Sequence, residues 1–377
     1  MARLLSFALL AVSWLSLFGL VSADAVNDLF KKSKPNLDAQ LAKSKTCTKD
    51  KLEVRKEWGD LSATDKKAYI AAMLCIMQKP SKLDKTKFPG AQSRYDDFVV
   101  VHMNQTMSIH GTGSFLTWHR YYTWSFERVL KEECGYNGTQ PYWDWSKWSA
   151  DPEKSPIFDG SDTSLSGNGE KINHKASAMT GAPAGNGGGC VKTGPFKDMV
   201  VRLGPVSPAV DPAPPRNPRT DGYGSNPRCL RRDISNYLSS RYLRTQDVLG
   251  LIQNSRDLAT FQNVMQGAGG FGGGGMGVHS AGHFTIAGDP GGDFYTSPND
   301  PAFWTHHGEI DRVWTIWQLQ DINTRVNIVS GGTSMMGFGR QQSLDDLVDL
   351  GVVGHKVYKI RDLVSTVDGP FCYTYDT

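Results

Sequence analysis

Ala302-Phe303-Trp304-Thr305-His306-His307-Gly308-Glu309-Ile310-Asp311-Arg312-Val313-Trp314-Thr315-Ile316-Trp317 is the stretch from which the rest of the chain can be read. Ile310, Val313, Trp314 and Trp317 recur at three- and four-residue spacing, which predicts a helix with an apolar face. Two adjacent imidazoles, His306 and His307, stand at its head. Upstream, His279 and His283 are four residues apart, so on a helix both rings share one face, one turn apart. Further back, Arg94 to Met107 predicts a helix that carries Phe98, Val99, Val101 and His102. Thr117 to Glu133 predicts a long aromatic-rich helix opened by His119, and His110 falls in the loop Ile109 to Ser114 between the two.

The remaining segments fill in around these helices. Asp50 to Met77 reads as two helices. The second starts on the capping pattern Ser62-x-x-Asp65 and carries Tyr69, Ile70, Met73, Leu74 and Met77. Helical spacing returns from Arg232 to Gln266. Between Asp151 and Asn226 it disappears under Gly, Pro, Ser and Asn, which predicts a long loop region forming a rim or wall on the core. The Gly267 to Gly277 tract contains GxGxxG-like spacings, but no strand precedes it, so it reads as a connection and not a nucleotide-binding turn. The expected fold is mainly α, with helices joined by long irregular loops.

Composition narrows the function classes. The 377 residues hold 41 Lys and Arg against 38 Asp and Glu, a net charge of +3, which leaves no basic surplus for nucleic acid or an anionic membrane. Arg3, the apolar run Leu4 to Val21 and the small-residue site Val21-Ser22-Ala23 read as a secretory signal over residues 1–23. The expectation is a secreted single domain, residues 24–377, with no membrane attachment after cleavage. Six cysteines, Cys47, Cys75, Cys134, Cys190, Cys229 and Cys372, predict three disulfides in such a chain, with the pairing open. No CxxC occurs, which argues against a thiolate zinc site. Asn104 and Asn137 begin Asn-x-Thr sequons and are candidate glycan sites; Asn104 follows an apolar run that reads as buried, which counts against it.

Nine histidines are present, and two sets of three on helices point to metal. His174 and His355 stand alone and read as ordinary structural residues. Neither set has a carboxylate or thiolate at ligand spacing. Imidazole suits zinc, copper, iron and nickel. Non-haem iron would want a carboxylate, and one catalytic zinc would leave a set unexplained. Two facing sites of three imidazoles fit a copper pair best.

The flanking residues carry a resemblance. Phe115-Leu116-Thr117-Trp118-His119-Arg120-Tyr121-Tyr122 resembles the FxxWHRxY signature of tyrosinases and catechol oxidases, and Asp300-Pro301-Ala302-Phe303-Trp304-Thr305-His306-His307 resembles their DPxFxxHH signature. Pro141-Tyr142-Trp143-Asp144-Trp145 is similar to the family's PYWDW segment, and the likeness runs from residue 50 to residue 375. The resemblance implies a four-helix bundle core holding two copper ions, one on His102, His110 and His119, the other on His279, His283 and His307. It implies that His306 serves the pocket or supports the site, and that Asp311 sits in a buried network that fixes ring orientation. It also implies oxidation of small phenols by dioxygen.

Departures from the family pattern sharpen that expectation. Hydroxylation of monophenols has been attributed in the family to a Glu and to an Asn after the first histidine of the second set. Gly270 and Ser280 stand there. Phe294 aligns with the position that gates the pocket, and Phe284 follows His283. Ser108 replaces the cysteine that many relatives link to a histidine, so all six cysteines stay available for disulfides. The family's C-terminal shielding domain is not expected after Tyr373-Thr374-Tyr375, which resembles the tyrosine motif closing the core. The expected activity is conversion of o-diphenols, and of o-aminophenols, to o-quinones, with weak or no monophenol hydroxylation. A true tyrosinase and a non-catalytic copper or oxygen carrier are the alternatives.

Overall fold

The computed structural model describes residues 24–267, 275–335 and 339–377. The expected signal segment and Gly270 lie outside the described residues. Ten helices are described: α1 (Ala25–Leu41), α2 (Ala63–Gln78), α3 (Arg94–Ile109), α4 (Phe115–Cys134), α5 (Asn236–Tyr242), α6 (Thr245–Asn254), α7 (Leu258–Gln266), α8 (Gly277–Ile286), α9 (Ala302–Gln320) and α10 (Ile322–Arg325). Eight short strands form four two-stranded pairs: β1 (Glu53–Arg55), β2 (Gly169–Lys171), β3 (Gly188–Val191), β4 (Val200–Val201), β5 (Arg228–Cys229), β6 (Leu347–Val348), β7 (Tyr358–Lys359) and β8 (Tyr373–Tyr375). The mainly α expectation holds.

Local chemistry sets the helix ends. α2 starts where the Ser62 hydroxyl accepts from Asp65 N–H, as its sequence implies. α3 opens on a full capping box between Ser93 and Asp96, and α4 stops at Gly135 in the left-handed region. α4 and α9 lie side by side at the centre, with α3 and α8 against them. Phe126 of α4 stacks on Trp304 of α9, ring centroids 3.6 Å apart.

α9 is buried from Ala302 to Leu319, all round and not on one face. Its polar residues are paired inside the protein: Glu309 with Arg312, and Asp311 with Arg55 and Arg120. The period of Ile310, Val313, Trp314 and Trp317 revealed the helix but not this complete enclosure.

Three expectations change. Residues 50–62 form β1 and a single 3-10 turn (Trp58–Asp60) in place of a helix. β1 pairs in parallel with β8, more than 300 residues away, and Arg55 is fully buried there, so tertiary pairing overrides local propensity. α1 was not anticipated, although Val26, Phe30, Ser33 and Leu37 line its buried face at helical spacing. Asn104 and Asn137 are both exposed, so the apolar run before Asn104 does not hide it. Residues 151–226 are, as expected, mostly loop, with one 3-10 turn (Pro152–Lys154) and the short strands β2, β3 and β4.

The six cysteines form three disulfides, Cys47–Cys372, Cys75–Cys134 and Cys190–Cys229. They tie the residue just before β8 to the segment before β1, α2 to the end of α4, and β3 to β5. No helix among the described residues is long and apolar enough to cross a membrane.

Candidate metal centre

Seven histidines converge where α3, α4, α8 and α9 meet. His102 comes from α3, His110 from its C-terminal cap, His119 from the second turn of α4, His279 and His283 from α8, and His306 and His307 from α9. They fall into two groups, His102, His110 and His119, and His279, His283, His306 and His307. Within each, the ring nitrogens that could hold a metal lie within 4.8 Å of one another. The groups adjoin: the His119 and His307 rings stack with centroids 4.6 Å apart, and His110 and His279 are 5.9 Å apart.

What faces the far side of each ring decides which nitrogen is free. Nδ1 of His102 lies 2.8 Å from the Tyr295 carbonyl, that of His110 2.9 Å from Thr106 O, and that of His119 2.7 Å from Phe115 O. A carbonyl can only accept, so each Nδ1 carries the proton and each Nε2 presents a lone pair to the centre. Nε2 of His102 and of His119 is buried with no hydrogen-bond partner among the described residues. A buried polar atom left so costs about 1–3 kcal/mol, which a metal would recover.

In the second group both ring nitrogens of His279 and Nδ1 of His307 are likewise unpartnered, and Nε2 of His307 lies 3.2 Å from Nε2 of His283. That spacing is close to the edge, about 3.3 Å, of a tetrahedron of nitrogens ~2.0 Å from one metal. His306 differs. Its Nε2 donates to His279 O at 3.0 Å and its Nδ1 accepts from Trp145 Nε1 at 3.1 Å, so neither nitrogen is free. His306 is fully buried and does not line the cavity, which corrects its assignment to the pocket. Three histidines in each group thus keep a ring nitrogen for a metal.

Burial, followed by the neighbouring imidazoles, keeps these rings neutral. It brings His102 down to about 3, and burial takes His110 to about 4 and His306 to about 3. His119, His279, His283 and His307 are also held well below the ordinary imidazole range. Neutral imidazole is the form that binds metal. The residues present fit two metal ions of the kind imidazole selects, copper included.

Asp311 hydrogen-bonds no imidazole among the described residues. Its carboxylate accepts from Arg120 Nε at 2.5 Å, Arg55 Nη1 at 3.3 Å, Tyr373 OH at 2.6 Å and Tyr375 OH. Desolvation opposes its charge, but the two guanidiniums hold its pKa low. The expected ring-fixing role is filled, in the first group, by main-chain carbonyls. Asp311 instead clamps α4, α9, β1 and β8 together, because its side chain leaves α9 on the face turned toward Arg120.

A cavity of about 740 Å³ opens over the two groups, lined in part by His110, His279, His283, Ser280, Phe284 and Phe294. Phe294 sits with its ring centroid 4.7 Å from that of His110, and Phe284 is buried in the wall. The Ser280 hydroxyl donates to Gln266 O at 2.9 Å, and the Gln266 carboxamide accepts from Gly111 N–H, next to His110. One residue at the end of α7 thus touches the neighbours of a histidine in each group.

Several contributors carried no sequence signal. Asp293 accepts four backbone N–H groups, from Val206, Ser207, Tyr295 and Thr296, and so shapes the turn that offers Tyr295 O to His102. Gln266 was equally silent. Trp145 and Phe303 lay inside quoted motifs without an assigned task; Phe303 packs on His307, centroids 4.2 Å apart, and also borders His102 and His283. His174 and His355 lie apart, paired with Asp233 and Tyr358.

Comparison with known proteins gives a consistent picture. Residues 92–320 match the family model described as the common central domain of tyrosinase. A protein named Tyrosinase P from Aspergillus terreus is 40% identical over 340 residues, 86% of this chain and 92% of that protein. An N-acetyl-6-hydroxytryptophan oxidase of Emericella nidulans is 36% identical over 356 residues, 88% and 94% of the two chains. Among solved structures, a polyphenol oxidase variant from Thermothelomyces thermophila superposes with a TM-score of 0.86 at 39% identity, covering 93% of this chain and 98% of that one.

Proposed function

This chain belongs to the tyrosinase family and is a copper-dependent oxidoreductase, and on that premise we propose that it is a secreted oxidase of o-diphenols and o-aminophenols with weak or no monophenol hydroxylation. The observation that carries the reading is the set of six neutral imidazoles in two threes, with free nitrogens turned inward beneath an aromatic-walled cavity. His102, His110 and His119 would hold one copper, and His279, His283 and His307 the other. When bound, a copper pair supplies the two-electron exchange by which two o-diphenols and one dioxygen give two o-quinones and two waters.

The protein's own residues supply tautomer, shape and dryness. The carbonyls of Tyr295, Thr106 and Phe115 hold three rings in the metal-binding tautomer. Phe294 beside His110 offers a face on which a phenol ring can stack. Hydroxylating a monophenol requires a group that takes its proton. Asp293, the carboxylate among the described lining residues, already accepts four backbone N–H groups, and the Ser280 hydroxyl donates a hydrogen bond to Gln266 O. Both support a diphenolase. Three disulfides support an oxidising compartment, and Asn104 and Asn137 are exposed enough to carry glycans.

Metal analysis of copper-loaded protein should give two ions per chain, and catechol oxidation should far outrun tyrosine oxidation. His119→Ala and His283→Ala should each lose one copper and nearly all activity. One ion per chain in the unaltered protein would overturn the two-site assignment; equal rates on tyrosine and catechol would overturn the diphenolase reading.

A further inference from the structure

The cavity over the histidines offers hydrogen bonds without charge. The carboxamides of Asn263 and Gln341 stand exposed at its mouth, and the thioethers of Met179, Met276 and Met335 form apolar wall. Asp293 is buried, with its carboxylate occupied by four backbone N–H groups, so it is not placed to receive an ammonium. Lys and Arg do not occur among the described lining residues. The cations closest in sequence to the lining are paired outside it, Lys175 with Asp211 at 3.2 Å and Arg340 with Asp346 at 2.8 Å. Residues 268–274 and 336–338, outside the described residues, read Ala-Gly-Gly-Phe-Gly-Gly-Gly and Met-Gly-Phe and add no charged side chain.

A phenolic amino acid brings a carboxylate and an ammonium. At this cavity neither group meets an oppositely charged side chain free to pair with it among the described residues, so the water each gives up on binding is not repaid by the lining. An amide, ester or ketone loses less and can pair with the two carboxamides. Resting on the diphenol-oxidase reading, we propose that the substrate is an uncharged phenol whose side chain ends in a neutral hydrogen-bonding group, and that anionic and zwitterionic phenols are discriminated against.

Copper-loaded enzyme is assayed on size-matched catechols: N-acetyldopamine, 4-propylcatechol, 3,4-dihydroxyphenylpropionate and dopa. The expected kcat/KM for the neutral pair exceeds that for the charged pair by about a hundredfold. Calorimetry under anaerobic conditions on 4-propylresorcinol and 3-(2,4-dihydroxyphenyl)propionate, which have no vicinal hydroxyls to oxidise, should show at least tenfold tighter binding of the neutral compound. Gln341→Arg should shift the kcat/KM ratio about tenfold toward the anion. Equal kcat/KM, equal binding, or a ratio unmoved by Gln341→Arg would each overturn the proposal. Turnover of no catechol, with the resorcinol preference intact, would instead sink the oxidase reading and leave the preference as one for ligands.

Discussion

At the residue scale, a histidine becomes a ligand here by what its far nitrogen meets. Six rings keep a nitrogen free for the centre. His306, adjacent to His307 in sequence, has both nitrogens taken by His279 O and Trp145. The sequence located all seven rings, and only the family resemblance separated His306 from the ligands, because spacing does not reveal hydrogen-bond partners. The same burial has a pH signature. Folded His102 titrates near 3 and His110 near 4, against an ordinary 6.5, so between those values the unfolded chain binds more protons than the folded one. This contribution to stability is complete above pH 6.5 and is lost as pH falls toward 4. The metal-free protein should therefore show a Tm that is level above pH 7 and drops between pH 6.5 and 4. A level Tm across that window would mean that the rings are solvated in solution.

At the scale of elements, the approach of α8 to α9 sets the second group. A Cβ on Gly282 would stand 2.1 Å from Cε1 of His306. Gly282→Ala must therefore push the helices apart or turn the His306 ring, breaking its bond to Trp145. Overpacking of this kind costs about 1–3 kcal/mol. Denaturant unfolding should show that loss, and copper analysis should show depletion of the second site ahead of the first. Wild-type stability with two coppers would refute this account of the contact. Periodicity made α2, α3, α4 and α9 legible, because their apolar residues recur whatever they pack on. It failed for β1, where three residues become a strand only when β8 arrives. The resemblance set Asp311 in a buried network that fixes ring orientation; the network is there, but its side chain leaves the helix toward Arg55 and Arg120 and meets no ring.

For the whole molecule, distant segments close the core. Cys47–Cys372 spans 325 residues and Cys190–Cys229 spans 39. Loop-closure entropy makes the longer link worth about 2 kcal/mol more. Replacing Cys47 and Cys372 by Ser should thus lower Tm by several degrees more than replacing Cys190 and Cys229; an equal or smaller drop would show that the long link does not restrain the unfolded chain. The pairing of β1 with β8 also bears on how the protein is made. Arg55 must wait for Glu127, 72 residues on, for Asp311, 256 residues on, and for Tyr375, 320 residues on, before its buried charge is fully paired. At ribosomal speeds of about 5–20 residues per second, that wait lasts tens of seconds. The clamp that joins β1, β8, α4 and α9 around Arg55 and Asp311 thus closes only after residue 375 has been made, long after the helices it fastens.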